Sequence, residues 1–122
     1  MARIVHFEVP ADDPARAADF YKKAFGWEIQ KWGGPTDYWM ASTGPAGEPG
    51  INGGILKRPH PGAVTCNTVG VASLDQSMKD VTNAGGKVVV PKMAIPGIGW
   101  LSYAVDTEGN QFGMMQSDPS AK

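Results

Sequence analysis

His6 and Glu8 stand two residues apart in the run Ile4-Val5-His6-Phe7-Glu8-Val9. The run reads as a strand. Side chains alternate along a strand, so His6 and Glu8 share one face while Val5, Phe7 and Val9 take the other. An imidazole beside a carboxylate can act as an acid–base pair, or supply two ligands to a metal site of nonstandard composition. The structural alternative is a pair of hydrogen-bonding side chains on a partly wet sheet face. Asn52 and Gly54 are spaced in the same way. Asn52 offers a neutral amide, and Gly53-Gly54 either lets a ligand approach the backbone or bends the strand.

Further along, Gln111, Gly113 and Met115 share a strand face, with Gly113 widening whatever space lies there. Tyr38, Trp39, Trp100 and Tyr103 put aromatics on strands, which suits a flat or apolar small molecule, or a core. Parity sends Trp100 and Ser102 one way and Leu101 and Tyr103 the other, so only one of the two aromatics lines a given wall. The candidate catalytic residues are thus His6 and Glu8. The candidate ligand-binding residues are Tyr38, Asn52, Gly54, Trp100, Tyr103, Gln111, Gly113 and Met115. Gly33-Gly34 and Gly53-Gly54 match neither GxxxxGK[ST] nor GxGxxG, so nucleotide binding is not indicated.

These residues need a scaffold of short elements. Asp12-Asp13-Pro14 is a helix start, and Ala17, Phe20, Tyr21 and Ala24 form its core-facing stripe up to Gly26. Strands are expected at Trp27–Lys31, Tyr38–Ser42 and Ile51–Lys57, separated by Gly33-Gly34-Pro35 and Gly44-Pro45-Ala46-Gly47. Lys57-Arg58-Pro59-His60-Pro61-Gly62 has no apolar period and reads as a linker. The order then restarts. Asn67–Ala72 is a strand, and Ser73-Leu74-Asp75-Gln76 opens a second helix as a capping box. Leu74, Met78 and Val81 stripe that helix, and Gly85-Gly86 ends it. Strands at Lys87–Val90, Trp100–Val105 and Gln111–Gln116 follow, the last two joined through Asp106-Thr107-Glu108-Gly109-Asn110.

The chain therefore reads βαβββ twice, with His6-Phe7-Glu8-Val9 loosely aligned to Thr68-Val69-Gly70-Val71. The expected organisation is one α+β domain over 1–122: module 1 (1–57), linker (58–65) and module 2 (66–122). Met93-Ala94-Ile95-Pro96-Gly97-Ile98-Gly99 is apolar and lies between strands, as a lid or a subunit contact would.

Composition removes several function classes. In 122 residues, 11 Lys and Arg balance 12 Asp and Glu for a net charge of -1. That balance gives no electrostatic case for nucleic acid or an anionic membrane. The single cysteine, Cys66, excludes an internal disulfide and a cysteine-based zinc site. No apolar run approaches the roughly 18 residues of a membrane span. The start, Met1-Ala2-Arg3-Ile4-Val5-His6, lacks the apolar stretch of a signal peptide, so the expected location is the cytoplasm. The 16 glycines and 10 prolines suit short strands and tight turns.

Val5-His6-Phe7-Glu8-Val9-Pro10-Ala11-Asp12-Asp13, followed by Asp19-Phe20-Tyr21 and Phe25-Gly26-Trp27, resembles the N-terminal module of the vicinal oxygen chelate superfamily. That group includes glyoxalase I, extradiol dioxygenases and bleomycin-resistance proteins. Asp106-Thr107-Glu108-Gly109-Asn110-Gln111-Phe112-Gly113 resembles the last turn and strand of the same fold, and Val90-Pro91-Lys92 with Ile95-Pro96-Gly97-Ile98-Gly99 resembles a glyoxalase-related branch. The resemblance implies paired βαβββ modules forming a cupped mixed sheet around a cleft. It also implies four metal-ligand positions, which fall on His6, near Gly54, on Cys66 or Asn67, and on Gly113. Two are glycine, so these positions cannot hold Ni²⁺, Zn²⁺ or Fe²⁺ in the usual way. No cofactor is expected, and a divalent metal at His6 stays open.

The implied function is that of a glyoxalase-related protein binding a small organic molecule. If it is an enzyme, the implied chemistry is lyase, isomerase or oxygenase on a vicinal-oxygen substrate, with His6 as ligand or base and Glu8 as its acidic partner. One alternative is non-catalytic sequestration of an antibiotic or metabolite. Another is an assembly domain working through Met93–Ile98. A homodimer is the expected partner state.

Overall fold

Each helix begins where the sequence supplies an oxygen to cap it. In the computed structural model, which describes residues 2–34 and 36–122, α1 (Pro14–Phe25) follows Asp13, whose carboxylate accepts from the Arg16 N–H at 3.1 Å. Helix α2 (Leu74–Asn83) follows Ser73, whose hydroxyl accepts from the Gln76 N–H at 3.2 Å. Gly26 closes α1 at φ 73°, a left-handed conformation that glycine adopts without a steric penalty. Met1 and Pro35, which belong to the N-terminal and loop readings above, lie outside the described residues.

The strands are β1 (Arg3–Ala11), β2 (Glu28–Lys31), β3 (Tyr38–Ser42), β4 (Gly53–Lys57), β5 (Cys66–Gly70), β6 (Lys87–Ile95), β7 (Gly99–Val105) and β8 (Gln111–Ser117). With α1 after β1 and α2 after β5, the order is βαβββ twice, as the sequence predicts. The chain divides into two compact units. One is His6–Thr65. The other is Cys66–Lys122 with the first residues of the chain through Val5.

Within the His6–Thr65 unit the strands run β2-β3-β4-β1, with β3 antiparallel to both neighbours and β1 parallel to β4. Within the other unit they run β6-β7-β8-β5, again with the central strands antiparallel and β5 parallel to β8. The two units therefore share one topology. Glu8 pairs with Gly54, and Thr68 pairs with Gly113. Matched at those two glycines, Thr68 corresponds to Glu8 and Cys66 to His6, two residues away from the alignment read from sequence.

Each unit packs one sheet face on its own helix. In the first, Ala11, Ile29, Ala41 and Ile55 bury against Ala18 of α1, with Tyr21, Trp27 and Trp39 around them. In the second, Ala104 and Met114 bury against Leu74 of α2, with Met78, Val81, Trp100 and Phe112 around them. Register then assigns the opposite face. In the first unit it carries His6, Glu8, Tyr38, Met40, Gly54 and Leu56. In the second it carries Thr68, Tyr103, Gly113 and Met115.

The segment Met93–Ile98 is not a separate loop. Met93, Ala94 and Ile95 pair with Leu101, Trp100 and Gly99, and the ladder slips between Val88 and Val90 and between Val90 and Met93. Pro91 lies within the second slip, where a proline costs no ladder hydrogen bond. Gly97, at φ 75°, makes the tight turn, and its N–H donates to the Ala121 carbonyl at 2.9 Å. These residues form a hairpin tip tied to the C-terminal segment, in place of the separate loop read between two strands.

Candidate functional site

The face of the His6–Thr65 unit turned away from α1 has His6 and Tyr38 at its centre. His6 Nε2 and the Tyr38 hydroxyl share a hydrogen bond of 2.6 Å. The two rings lie nearly parallel, 16° apart with centroids at 6.3 Å. Both side chains are half-buried. Tyr38 reaches this position by lying across Gly54. A Cβ on residue 54 would overlap the Tyr38 hydroxyl and ring, so only glycine leaves room for the phenol. Gly54 sits directly beside Glu8 in the parallel ladder and beside Met40 in the antiparallel one. Trp32 stands edge-on to Tyr38, at 6.3 Å and 80°.

Burial lowers the His6 pKa from its usual value, and the Glu8 carboxylate works in the opposite direction with the smaller effect. The imidazole is therefore neutral at pH 7. A neutral ring can take a proton from a ligand, and the phenol beside it can donate one to a ligand oxygen. In the Nδ1–H tautomer the phenol donates to Nε2; in the other tautomer Nε2–H donates to the phenol oxygen.

The remaining predicted residues divide by face. Tyr103, Gly113 and Met115 fall on the face of the second unit turned away from α2, with Gln111 exposed at the start of β8. A Cβ on Gly113 would stand 3.0 Å from the Thr68 hydroxyl and 3.3 Å from the Tyr103 ring. Two predicted residues go elsewhere. Trp100 faces α2: it packs on the Leu74–Ala104–Met114 core, and its indole N–H donates to Asp118 at 3.0 Å. An apolar ring with one polar edge is well served there, so it does not line the face carrying Tyr103. Asn52 precedes β4, and its side-chain oxygen accepts from the Thr43 N–H at 3.0 Å, fastening the β3–β4 connection.

Trp32 and Leu56 were not singled out from sequence. The signal for Leu56 was parity with Gly54. Trp32 carried a weaker one, the following Gly33-Gly34, since a Cβ on Gly34 would overlap its ring.

A family model described as bleomycin resistance protein-like N-terminal matches residues 3–44. Among solved structures, a variant of Streptomyces coelicolor methylmalonyl-CoA epimerase in complex with 2-nitronate-propionyl-CoA is similar at 16% identity and TM-score 0.71, covering 98% of this chain and 97% of that one. Methylmalonyl-CoA epimerase from Mycobacterium tuberculosis is similar at 10% identity and TM-score 0.72, covering 95% and 88%. A hypothetical protein from Bacillus halodurans is similar at 9% identity and TM-score 0.75, covering 99% and 98%. No curated protein matches the sequence. The chain has the vicinal oxygen chelate fold.

The metal positions that the vicinal oxygen chelate resemblance assigns can be tested residue by residue. At His6 the Nε2 atom is engaged by Tyr38. At Gly54 the space for a ligand side chain holds the Tyr38 phenol instead. Gly113 likewise offers no donor and abuts Thr68. Among the described residues no group of three or more His, Cys, Asp or Glu side chains comes together as a metal site. The residues do not fit a four-ligand metal site of the usual kind. Among the described residues no helix is long and apolar enough to cross a membrane.

Proposed function

We propose that this chain binds a small organic molecule with adjacent oxygens on the face of the His6–Thr65 unit turned away from α1, with His6 and Tyr38 as the polar centre. The observation that carries the reading is the 2.6 Å His6–Tyr38 hydrogen bond laid across Gly54. It pairs a neutral proton acceptor with a proton donor on a half-buried face, which suits an α-hydroxy ketone, an enediol or a catechol. Glu8 is the acidic partner of His6.

Where the molecule is turned over, the proposed reaction is of the isomerase or lyase type. His6 removes a proton from carbon next to a carbonyl, and the Tyr38 hydroxyl hydrogen-bonds the oxygen that gains charge. The similarity to methylmalonyl-CoA epimerases, which are isomerases, supports this class without specifying the substrate. A non-catalytic binding protein is the second reading, favoured by the phenol filling the space of a metal ligand at Gly54.

A homodimer is also proposed. It is supported by the solvent-exposed apolar side chains Val89, Met93 and Ile98 around the β6–β7 hairpin. The test is a panel of vicinal-oxygen compounds screened by ligand-observed NMR, then assayed for turnover, with wild type, His6→Ala and Tyr38→Phe. Binding that needs His6, with turnover lost in His6→Ala, supports the enzyme. Binding without turnover supports sequestration, and binding indifferent to both substitutions refutes the assignment of the site.

A further inference from the structure

The second unit carries a cavity that the His6 site does not use. It has a volume of about 560 Å³ and opens where β5 and β8 end. Val5, Val71, Ala72 and Met115 form an apolar wall. Gly70 keeps the wall open, since a Cβ there would press on both methyls of Val5 at 3.2 Å. Val5 is 50% exposed, so this apolar surface faces solvent. Arg3 stands at the rim, and among the described residues its guanidinium makes no hydrogen bond or ion pair. Gln116, also in the lining, accepts from the Leu74 N–H at 2.8 Å with its side-chain oxygen.

We propose that this cavity is a binding site for a small organic anion, with its apolar body against Val5 and Met115 and its carboxylate on Arg3. Three observations converge on that class. The volume is within the range of small-molecule sites, roughly 300–1,000 Å³. The wall is apolar, so a bare inorganic anion leaves it wet. The one charge at the rim is a guanidinium, whose planar fork matches a carboxylate with two parallel hydrogen bonds. All of these residues belong to one compact unit, and none is part of the His6–Tyr38 centre. The inference therefore stands or falls separately from the proposed function.

The test is an NMR titration of the full-length protein, labelled at backbone nitrogen and at valine and methionine methyls, with hexanoate as probe. Hexanol serves as the neutral counterpart and inorganic phosphate as the bare anion. The expected result is saturable hexanoate shifts at Val5, Gly70, Val71 and Met115, with weaker binding of hexanol and no saturation by phosphate. Arg3→Gln should weaken hexanoate about tenfold or more, the size of a lost charge-assisted contact, and leave hexanol unchanged. Arg3→Lys keeps the charge without the fork and should fall between. Arg3 is exposed and, among the described residues, its side chain makes no hydrogen bond or ion pair, so these variants remove the charge without disturbing a core. Non-saturating shifts, equal affinity for hexanol, wild-type hexanoate affinity in Arg3→Gln, or shifts at Tyr38 and Leu56 in place of these residues would each overturn the proposal.

Discussion

Gly54→Ala is the smallest change that tests the centre of the structure. The backbone at Gly54 is not in the left-handed region, so alanine is free to adopt it. At such positions the substitution usually stabilises by about 0.4–1 kcal/mol, by restricting the unfolded chain. Here the added methyl would overlap the Tyr38 hydroxyl and ring. Overpacking of this kind costs roughly 1–3 kcal/mol, and the lost His6–Tyr38 hydrogen bond about 1 kcal/mol of that order. The clash outweighs the entropic gain, leaving a net loss of about 1–2 kcal/mol. Urea unfolding measures it, and a double-mutant cycle isolates its cause. In a Tyr38→Ala background the obstacle is gone, so Gly54→Ala should become neutral or stabilising, a reversal of sign. An NMR titration supplies a second readout. With Tyr38 displaced, His6 is better hydrated and its pKa should rise toward the ordinary value of about 6.5. If Gly54→Ala costs the same with and without Tyr38, or leaves the His6 pKa unmoved, the reasoning is refuted.

Other consequences can be checked on the same protein. The folded His6 pKa is lowered, so the unfolded state takes up the proton first. The stability that neutral His6 contributes is present above about pH 6.5 and lost as pH falls below it toward the folded value; His6→Gln should flatten that part of the stability–pH curve, measured by urea unfolding between pH 7 and 5. Asp106 and Asp118 are also held below their usual values, Asp106 chiefly by the Asn110 and Glu108 N–H groups and Asp118 chiefly by Ser120 and Trp100, which places their titration on the acid side of that window. Ile55→Ala empties a fully buried position and should cost about 2–5 kcal/mol by chemical denaturation. Ser73→Ala removes the α2 cap and should cost about 1 kcal/mol in the same assay. Trp100→Phe should lower the thermal midpoint and leave small-molecule affinity unchanged, because the indole serves the α2 core and Asp118.

Helix starts were legible because capping is local: Asp13 and Ser73 lie next to the turns they satisfy. The doubled βαβββ order was legible for the same reason, each element announcing itself by its own period and breakers. What depends on pairing between strands was not. Nothing near Gly54 in sequence says that Tyr38 lies over it, because the β3–β4 register sets that contact. Parity separated Trp100 from Tyr103, but only the docking of α2 decides which of them is core. Asn52 had the right parity and the wrong setting: the strand begins one residue later, and its amide serves the Thr43 backbone. Met93–Ile95 read as a loop because Pro91 interrupts the run, whereas two register slips let β6 continue past it.

The most direct test of the account is ligand-observed NMR of the vicinal-oxygen panel against wild type and His6→Ala side by side, each first shown to be folded. The account predicts at least one compound that binds wild type saturably, shifts His6 and Tyr38, and loses its affinity in His6→Ala. A panel that binds both proteins equally, or that shifts neither His6 nor Tyr38 at saturation, would contradict it.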